Sequence, residues 1–354
     1  MRRGACLVAI ALLCAASAAQ AQSPWERLRD SARGWLGGAE DPAAALARRG
    51  GIRQLLRPDL DDFRNKLARE LHGEVRRTLR EARIAHGALG VHDGSVELQL
   101  REPSDAARAM SALAPVAGRA HDAVDISQAG PDMLRLVPTD RGIAVRLNAP
   151  LDESVAVIGR RLEGLGFASA GVRREGPDRI LVMAPGVVDP AQLARILEPA
   201  ARLEFRLVDV SMTPNDAERS GAPEGAEVLH EAKTRRPYLV RKESTLGGAD
   251  IVDAAPGFDQ NGRPDVGFSF SERGARAFGQ LTQENVGRPL AIVLDGEVLS
   301  APVIQTPILG GHGQITGTFT VEDAKRLAVL LRAGVLPLKL VVVEQTTVAP
   351  AAKR

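Results

Sequence analysis

Six histidines are the first place to look for chemistry: His72, His86, His92, His121, His230 and His312. Imidazoles share a metal ion when they fall on one helix face or one strand face, and the chain has no H-x-x-x-H or H-E-x-x-H spacing. His86 and His92 are about 20 Å apart along an extended chain, too far to share an ion. The Gly-rich stretch GGHGQITG (310–317) has neither the G-x-G-x-x-G nor the Walker pattern, and it leads into a strand where a phosphate loop leads into a helix. There is no G-x-S-x-G elbow and no S-x-x-K motif, and Asp250, Asp253, Asp265 and Asp295 fall where turns or strand ends are expected. A zinc site assembled from separate elements stays open, but no catalytic constellation, metal site or cofactor site is expected.

Asp295 is the acid that most invites a functional reading, because it stands alone in the apolar run GRPLAIVLDGEVLSAPVI (287–304). LAIVL and EVLSA read as strands, and Asp295-Gly296 between them is a preferred pair for a two-residue type I′ hairpin turn, with both residues at positive φ. The expectation is a corner with its carboxylate in solvent. A proton carrier would need a spanning helix or a partner.

The elements around these residues alternate in period. Residues 59–83 place Leu60, Phe63, Leu67, Leu71, Val75 and Leu79 at helical spacing behind Asp59, Asp61 and Asp62, which suits one amphipathic helix with a solvated charged face. Residues 24–50 look unpatterned. A βαββ pattern then occurs twice. Its first copy is the strand 96–100, the helix 104–113 and two strands. Its second is a strand at IAVRLN (143–148), a helix at 151–166, two strands around Gly176-Pro177-Asp178, a helix at 189–200 and a returning strand at 202–210. Residues 211–235 are polar and turn-rich. A further αβ module follows, with helices at 272–285 and 320–334, and LKLVVVEQTTV ends it as a strand. The fold class is α+β, a ferredoxin-like antiparallel base layer with a second αβ head module.

Composition narrows the function. Lys plus Arg (46) nearly balances Asp plus Glu (44), and eight Phe, two Trp and one Tyr are too few and scattered to stack bases, so no nucleic acid partner is expected. The start MRRGACLVAIALLCAASAAQAQ has a basic end, an apolar stretch and an A-x-A site, and reads as a signal peptide cut after Ala21. Both cysteines, Cys6 and Cys14, leave with it, so the mature chain suits an oxidising compartment such as a periplasm. Lipidation at Cys14 is disfavoured by Leu13 before it. The rival localisation is an inner-membrane anchor made by the uncleaved segment, whose apolar stretch falls short of the ~20 residues of a membrane helix.

Three runs carry a family resemblance: PDVGFSFSERGARAFGQLTQENVGRPLAIVLDGEVLSAPVI, then GGHGQITGTFTVEDAKRLAVLLRAGVLPLKL, then VVVEQTTV. Together with RRLEGLGFASAGVRREGPDRILVMAPGVVDPAQLARILEPAARLEFRLVD upstream, they resemble the periplasmic P1 region of SecD, an accessory subunit of the bacterial Sec translocase. The resemblance covers residues 143–348. It implies a base, and an inserted head that contacts emerging polypeptide and swings relative to that base. The organisation expected is a signal peptide (1–21), a mobile leader and helix (22–83), a base (84–210), a linker (211–237), a head (238–340) and a final base strand with tail (341–354). There are two departures. In ALARRGGIRQLL (45–56), Gly50 and Gly51 of the family's Leu-Asp-Leu-x-Gly-Gly signature are kept, but Arg48 stands where an acid is expected. The sequence also ends at Arg354, where the family continues into a membrane bundle, so its proton-coupled work is not expected here.

The function expected is that of a secreted, soluble, non-enzymatic accessory of Sec-dependent export, whose partners are unfolded or translocating polypeptide and Sec translocon components. In SAPVIQTPIL, Pro302 and Pro307 mark an edge or irregular strand, with Val303, Ile304 and Ile308 as candidate polypeptide contacts unless they pack in the head's own core. The alternative is an envelope interaction module derived from SecD P1 with no export role.

Overall fold

The computed structural model describes residues 40–118, 123–244 and 246–351. Ala21, Cys6, Cys14 and His121 lie outside the described residues.

Helix α1 (Pro42–Arg49) leads into strand β1 (Gly51–Pro58) and the long helix α2 (Leu60–Glu81). Asp59 caps α2 by accepting from the Asp62 amide at 3.1 Å, and Phe63, Leu67, Leu71, Val75 and Leu79 form its buried stripe as the spacing predicts. Next come β2 (His86–His92), β3 (Ser95–Leu100), α3 (Ala106–Ala117), β4 (Val124–Gln128) and β5 (Met133–Pro138). These strands form an antiparallel sheet in the order β2-β3-β5-β4, with a core of its own shared with the second half of α2.

Helix α4 (Asp140–Gly164) absorbs the predicted strand 143–148, which is a correction. Thr139 caps α4 through the Gly142 amide, and the buried residues are Ile143, Leu147 and Leu151 at four-residue spacing. Val145, whose alternation with 143 and 147 suggests a strand, is 65% exposed. Strands β6 (Gly171–Arg174) and β7 (Ile180–Pro185) and helix α5 (Pro190–Leu197) follow, with Asp189 and Pro190 opening α5 as predicted.

The chain then leaves the base through β8 (Leu203–Leu207), α6 (Pro214–Ser220), β9 (Ala226–His230), β10 (Pro237–Arg241), β11 (Ile251–Phe258), β12 (Pro264–Phe270), α7 (Glu272–Glu284), β13 (Leu290–Leu294), β14 (Glu297–Ser300), β15 (His312–Ile315) and α8 (Val321–Ala333). It returns in β16 (Leu340–Val348). The stretch read as a linker holds α6 and half of the β9–β10 hairpin, because Ala217, Ala226 and Leu239 bury one another there. Strand β8 pairs with β13 in the head, not with the base sheet where the sequence pattern suggests it returns. Phe205, Phe268, Phe270 and Phe278 meet at centroid distances of 5.0–5.6 Å in the head core, so half of the chain's phenylalanines are used there.

The base sheet runs β16-β1-β7-β6, all antiparallel. Taken in chain order this is the 4-1-3-2 arrangement of a ferredoxin-like layer, and α4 and α5 pack on it around Ile52, Val157, Ile158, Val182 and Leu193. Its first strand is β1, in the segment expected to be leader and helix. The first crossover of the layer carries the β2–β5 unit as an insertion, and the second carries the head.

Candidate functional site: the head surface and its joint to the base

Asp295 and Gly296 hold φ of +50° and +86°, and Leu294 pairs with Glu297, so the predicted two-residue hairpin turn is present. The carboxylate, however, is not left to solvent. Its Oδ2 accepts from the Ala201 amide at 3.0 Å and its Oδ1 from the Arg202 amide at 2.8 Å, while the Asp295 amide donates to the Arg202 carbonyl at 3.0 Å. Ala201 is buried and left-handed, with φ +60°. The turn thus grips the strand of chain that passes from base to head.

On the other side of that crossing lies Arg161 of α4, which is 0% exposed. Its Nη1 donates to the carbonyls of Ile196 (3.0 Å) and Pro199 (2.7 Å), and its Nη2 to those of Ala200 (3.3 Å) and Gly334 (3.5 Å). Arg160 donates twice to the Ala333 carbonyl, at 2.7 and 3.0 Å. The ends of α5 and α8 expose carbonyls that their own helices cannot satisfy, and one Arg-Arg pair serves both. The returning chain meets the outgoing one directly through the Leu336 amide and the Ala200 carbonyl at 2.8 Å. Burial pushes the Arg161 guanidinium down to about 10, with Asp295 acting in the opposite direction. The sequence carries one sign of this role: Arg161 falls on the apolar stripe of α4, beside Ile158 and Leu162.

The three candidate contact residues do not share one environment. Ile304 is 5% exposed and belongs to the head core, and Ile308 is half-buried against that core. Val303 is 46% exposed, and Leu309, which is not among the three candidates, is 71% exposed. The backbone between them is held in place. Leu290 donates to Pro302, Ile304 to Arg288 and Gly287 to Ile304, and the Ile308 amide donates to the buried Thr282 hydroxyl at 2.9 Å. The segment therefore presents two apolar side chains from a fixed backbone.

A groove on the outer face of β11, β12 and β15 is lined by Asp253, Ala255, Gly267, Ser269, His312 and Gln314. Ser269 Oγ and His312 Nδ1 are 2.9 Å apart, and the Asp253 carboxylate accepts from the Ala254 amide. Ser269 lies between the aspartate and the histidine in strand register, so no acid orients the imidazole as a catalytic triad requires. Among the described residues, no three His, Cys, Asp or Glu side chains gather where a metal ion could sit. No helix among them is long and apolar enough to cross a membrane.

Two family models match: "SecDF, P1 head subdomain" over residues 226–338, and "Protein translocase subunit SecDF, P1 domain, N-terminal" over residues 151–210. The protein translocase subunit SecD of Rickettsia bellii is 35% identical over 303 residues, covering 85% of this chain and 58% of its own length. That of Acetobacter pasteurianus is 34% identical over 307 residues, with the same coverage of each chain. A crystal structure of SecDF in a super-membrane-facing form is 24% identical, covers 91% of this chain and 35% of its own, and has a TM-score of 0.50, a likeness of fold. The chain thus spans 58% of the length of each of these two relatives.

Proposed function

The chain belongs to the SecD family through its P1 region, base and head included, and from that premise we propose that it is a non-enzymatic accessory of Sec-dependent protein export that engages emerging or unfolded polypeptide through its head. The observation that carries the polypeptide half of this reading is the pair Val303 and Leu309, exposed at the two ends of a head segment whose backbone is already hydrogen-bonded. Apolar side chains held on a fixed backbone offer contact area with little ordering cost and little sequence preference. Ile304 and Ile308 act from behind, holding that segment on the core.

The location proposed is the periplasm, reached by the N-terminal signal; an uncleaved anchor is the other outcome of a fractionation. The Sec translocon is the partner proposed for docking. The rival reading, an envelope module without an export role, rests on Arg48 in the Gly-Gly signature. Gly50 and Gly51 nonetheless take φ of +69° and +141° beside β16 and β7, so the part of the signature that shapes the backbone is in place.

Photocrosslinkers placed at Val303 and Leu309 test the proposal. Crosslinks to an export intermediate, lost when that intermediate is allowed to fold, are expected. No crosslink, together with co-purification of an unrelated envelope complex, would establish the rival.

A further inference from the structure

The outer face of α2 carries charge that nothing in the fold uses. Arg69, Arg76, Arg77, Arg80 and Arg83 are all exposed, and none of their guanidinium groups has a hydrogen-bond or carboxylate partner among the described residues, although Glu70, Glu74 and Glu81 are on the same segment. For Arg69, Arg76 and Arg80 the geometry of a helix explains why. At about 100° per residue, Arg69, Arg76 and Arg80 fall within about 40° of one another, opposite the buried Leu71 and Val75, while the three glutamates sit on one flank about 100–140° from Arg69. The ridge runs about 17 Å from Arg69 to Arg80. Arg76 and Arg80 are spaced i,i+4 and Arg77 and Arg80 i,i+3, so the like charges oppose the helix they stand on, and only the last turn gains from the helix dipole. A face meant only to be solvated would be served as well by alternating charge.

We propose that this arginine ridge docks the protein on an anionic lipid surface. The ridge is straight and convex, and no aromatic or large apolar side chain lies on it. It therefore lacks the buried anchor that a protein partner would need and the stacking platform that a nucleic acid would need. Headgroup phosphates ask only for unpaired cations along a line, and guanidinium groups meet them in pairs of hydrogen bonds. The inference rests on the envelope location proposed above. It does not rest on polypeptide engagement: a chain that fails to crosslink to an export intermediate but still binds vesicles leaves it standing.

Vesicle co-sedimentation of the full chain is the test, with vesicles of phosphatidylcholine alone and with roughly one third phosphatidylglycerol. The triple variant Arg69→Gln, Arg76→Gln, Arg80→Gln keeps good helix formers on an exposed face, and its melting temperature reports that it folds. The N-terminal apolar stretch is common to both proteins, so only the phosphatidylglycerol-dependent part of binding is compared. The parent should bind anionic vesicles at least tenfold more tightly than the variant, and the difference should vanish at about 0.5 M salt. Equal binding by the variant, or no phosphatidylglycerol dependence in the parent, overturns the proposal. Arginine-dependent retention on immobilised polyglutamate without vesicle binding overturns it as well, in favour of an acidic protein partner.

Discussion

The Asp295 carboxylate accepts the backbone N–H of Ala201 at 3.0 Å, from 94 residues away, and Ala201 holds a left-handed φ of +60°. A turn residue of the head thereby stabilises a strained backbone position in the chain that leaves the base. Asp295→Asn keeps the turn conformation and one acceptor oxygen, and should cost about 1 kcal/mol; Asp295→Ala loses both amide bonds and should cost about 2 kcal/mol. Urea unfolding measures both. An Asn variant equal to the parent would mean that the amide bond it gives up contributes nothing, and an Ala variant equal to the parent that neither bond does. Gly296→Val, at φ +86°, should be costlier than either, because a β-branched residue is a true outlier there.

Arg161 should be the most sensitive single side chain at the joint. Arg161→Met fills much of its volume but strands the carbonyls of Ile196 and Pro199 and leaves that of Ala200 to the Leu336 amide alone, and should destabilise by about 3 kcal/mol or more. Arg161→Lys should lose nearly as much, because one ammonium cannot reproduce the fork. Hydrogen exchange at residues 196–202 should rise in both variants. Unchanged exchange there would show that the guanidinium is not what holds the crossing.

Gly51 is the backbone requirement of the base sheet. At φ +141°, a β-carbon there would lie 2.4 Å from the Ala184 carbonyl oxygen, an atom of the neighbouring strand β7. Gly51→Ala should therefore destabilise by about 3 kcal/mol or prevent folding, whereas Gly73→Ala, which faces open space within α2, should stabilise by about 0.5–1 kcal/mol. Thermal melting of the two variants separates them.

Asp265 gives a pH signature. It is 2% exposed, its Oδ2 has no partner, and burial, followed by the negative charge of Asp259, raises its carboxyl above the ordinary range. A raised carboxyl favours the folded state while protonated, and that contribution is lost as pH rises from the ordinary aspartate value of about 4 through the raised one. Asp265→Asn should therefore be more stable than the parent at neutral pH, with the difference closing below about pH 4. Denaturation midpoints across that range check it, and a difference that does not change with pH would assign the effect to packing.

Much of the fold is legible because period and capping agree. The Thr320–Asp323 capping box forms as written, and the buried stripe of α2 is the one its spacing gives. The misreadings share a cause: a local pattern with two solutions is decided by distant partners. Ile143, Val145 and Leu147 alternate like a strand, yet only 143 and 147 are needed, because α4 lies on β1 and β7 through that four-residue spacing. Strand β1 hides in GIRQLLRP because both its neighbours, β7 and β16, are far along the chain. The Asp295 grip was invisible for the same reason: the turn chemistry is local, but the amides it accepts are not.

The central position of β1 has a consequence for how the chain acquires its shape. Its partner β7 emerges about 130 residues after it, and its partner β16 only after nearly 300, once the whole of the head has appeared. The head's own strands and helices lie within residues 203–333 and can assemble while that last strand is still on its way. For a protein delivered end first, the platform is thus the last part to close, and β1 waits with one edge open until the sequence that follows the head arrives to cover it.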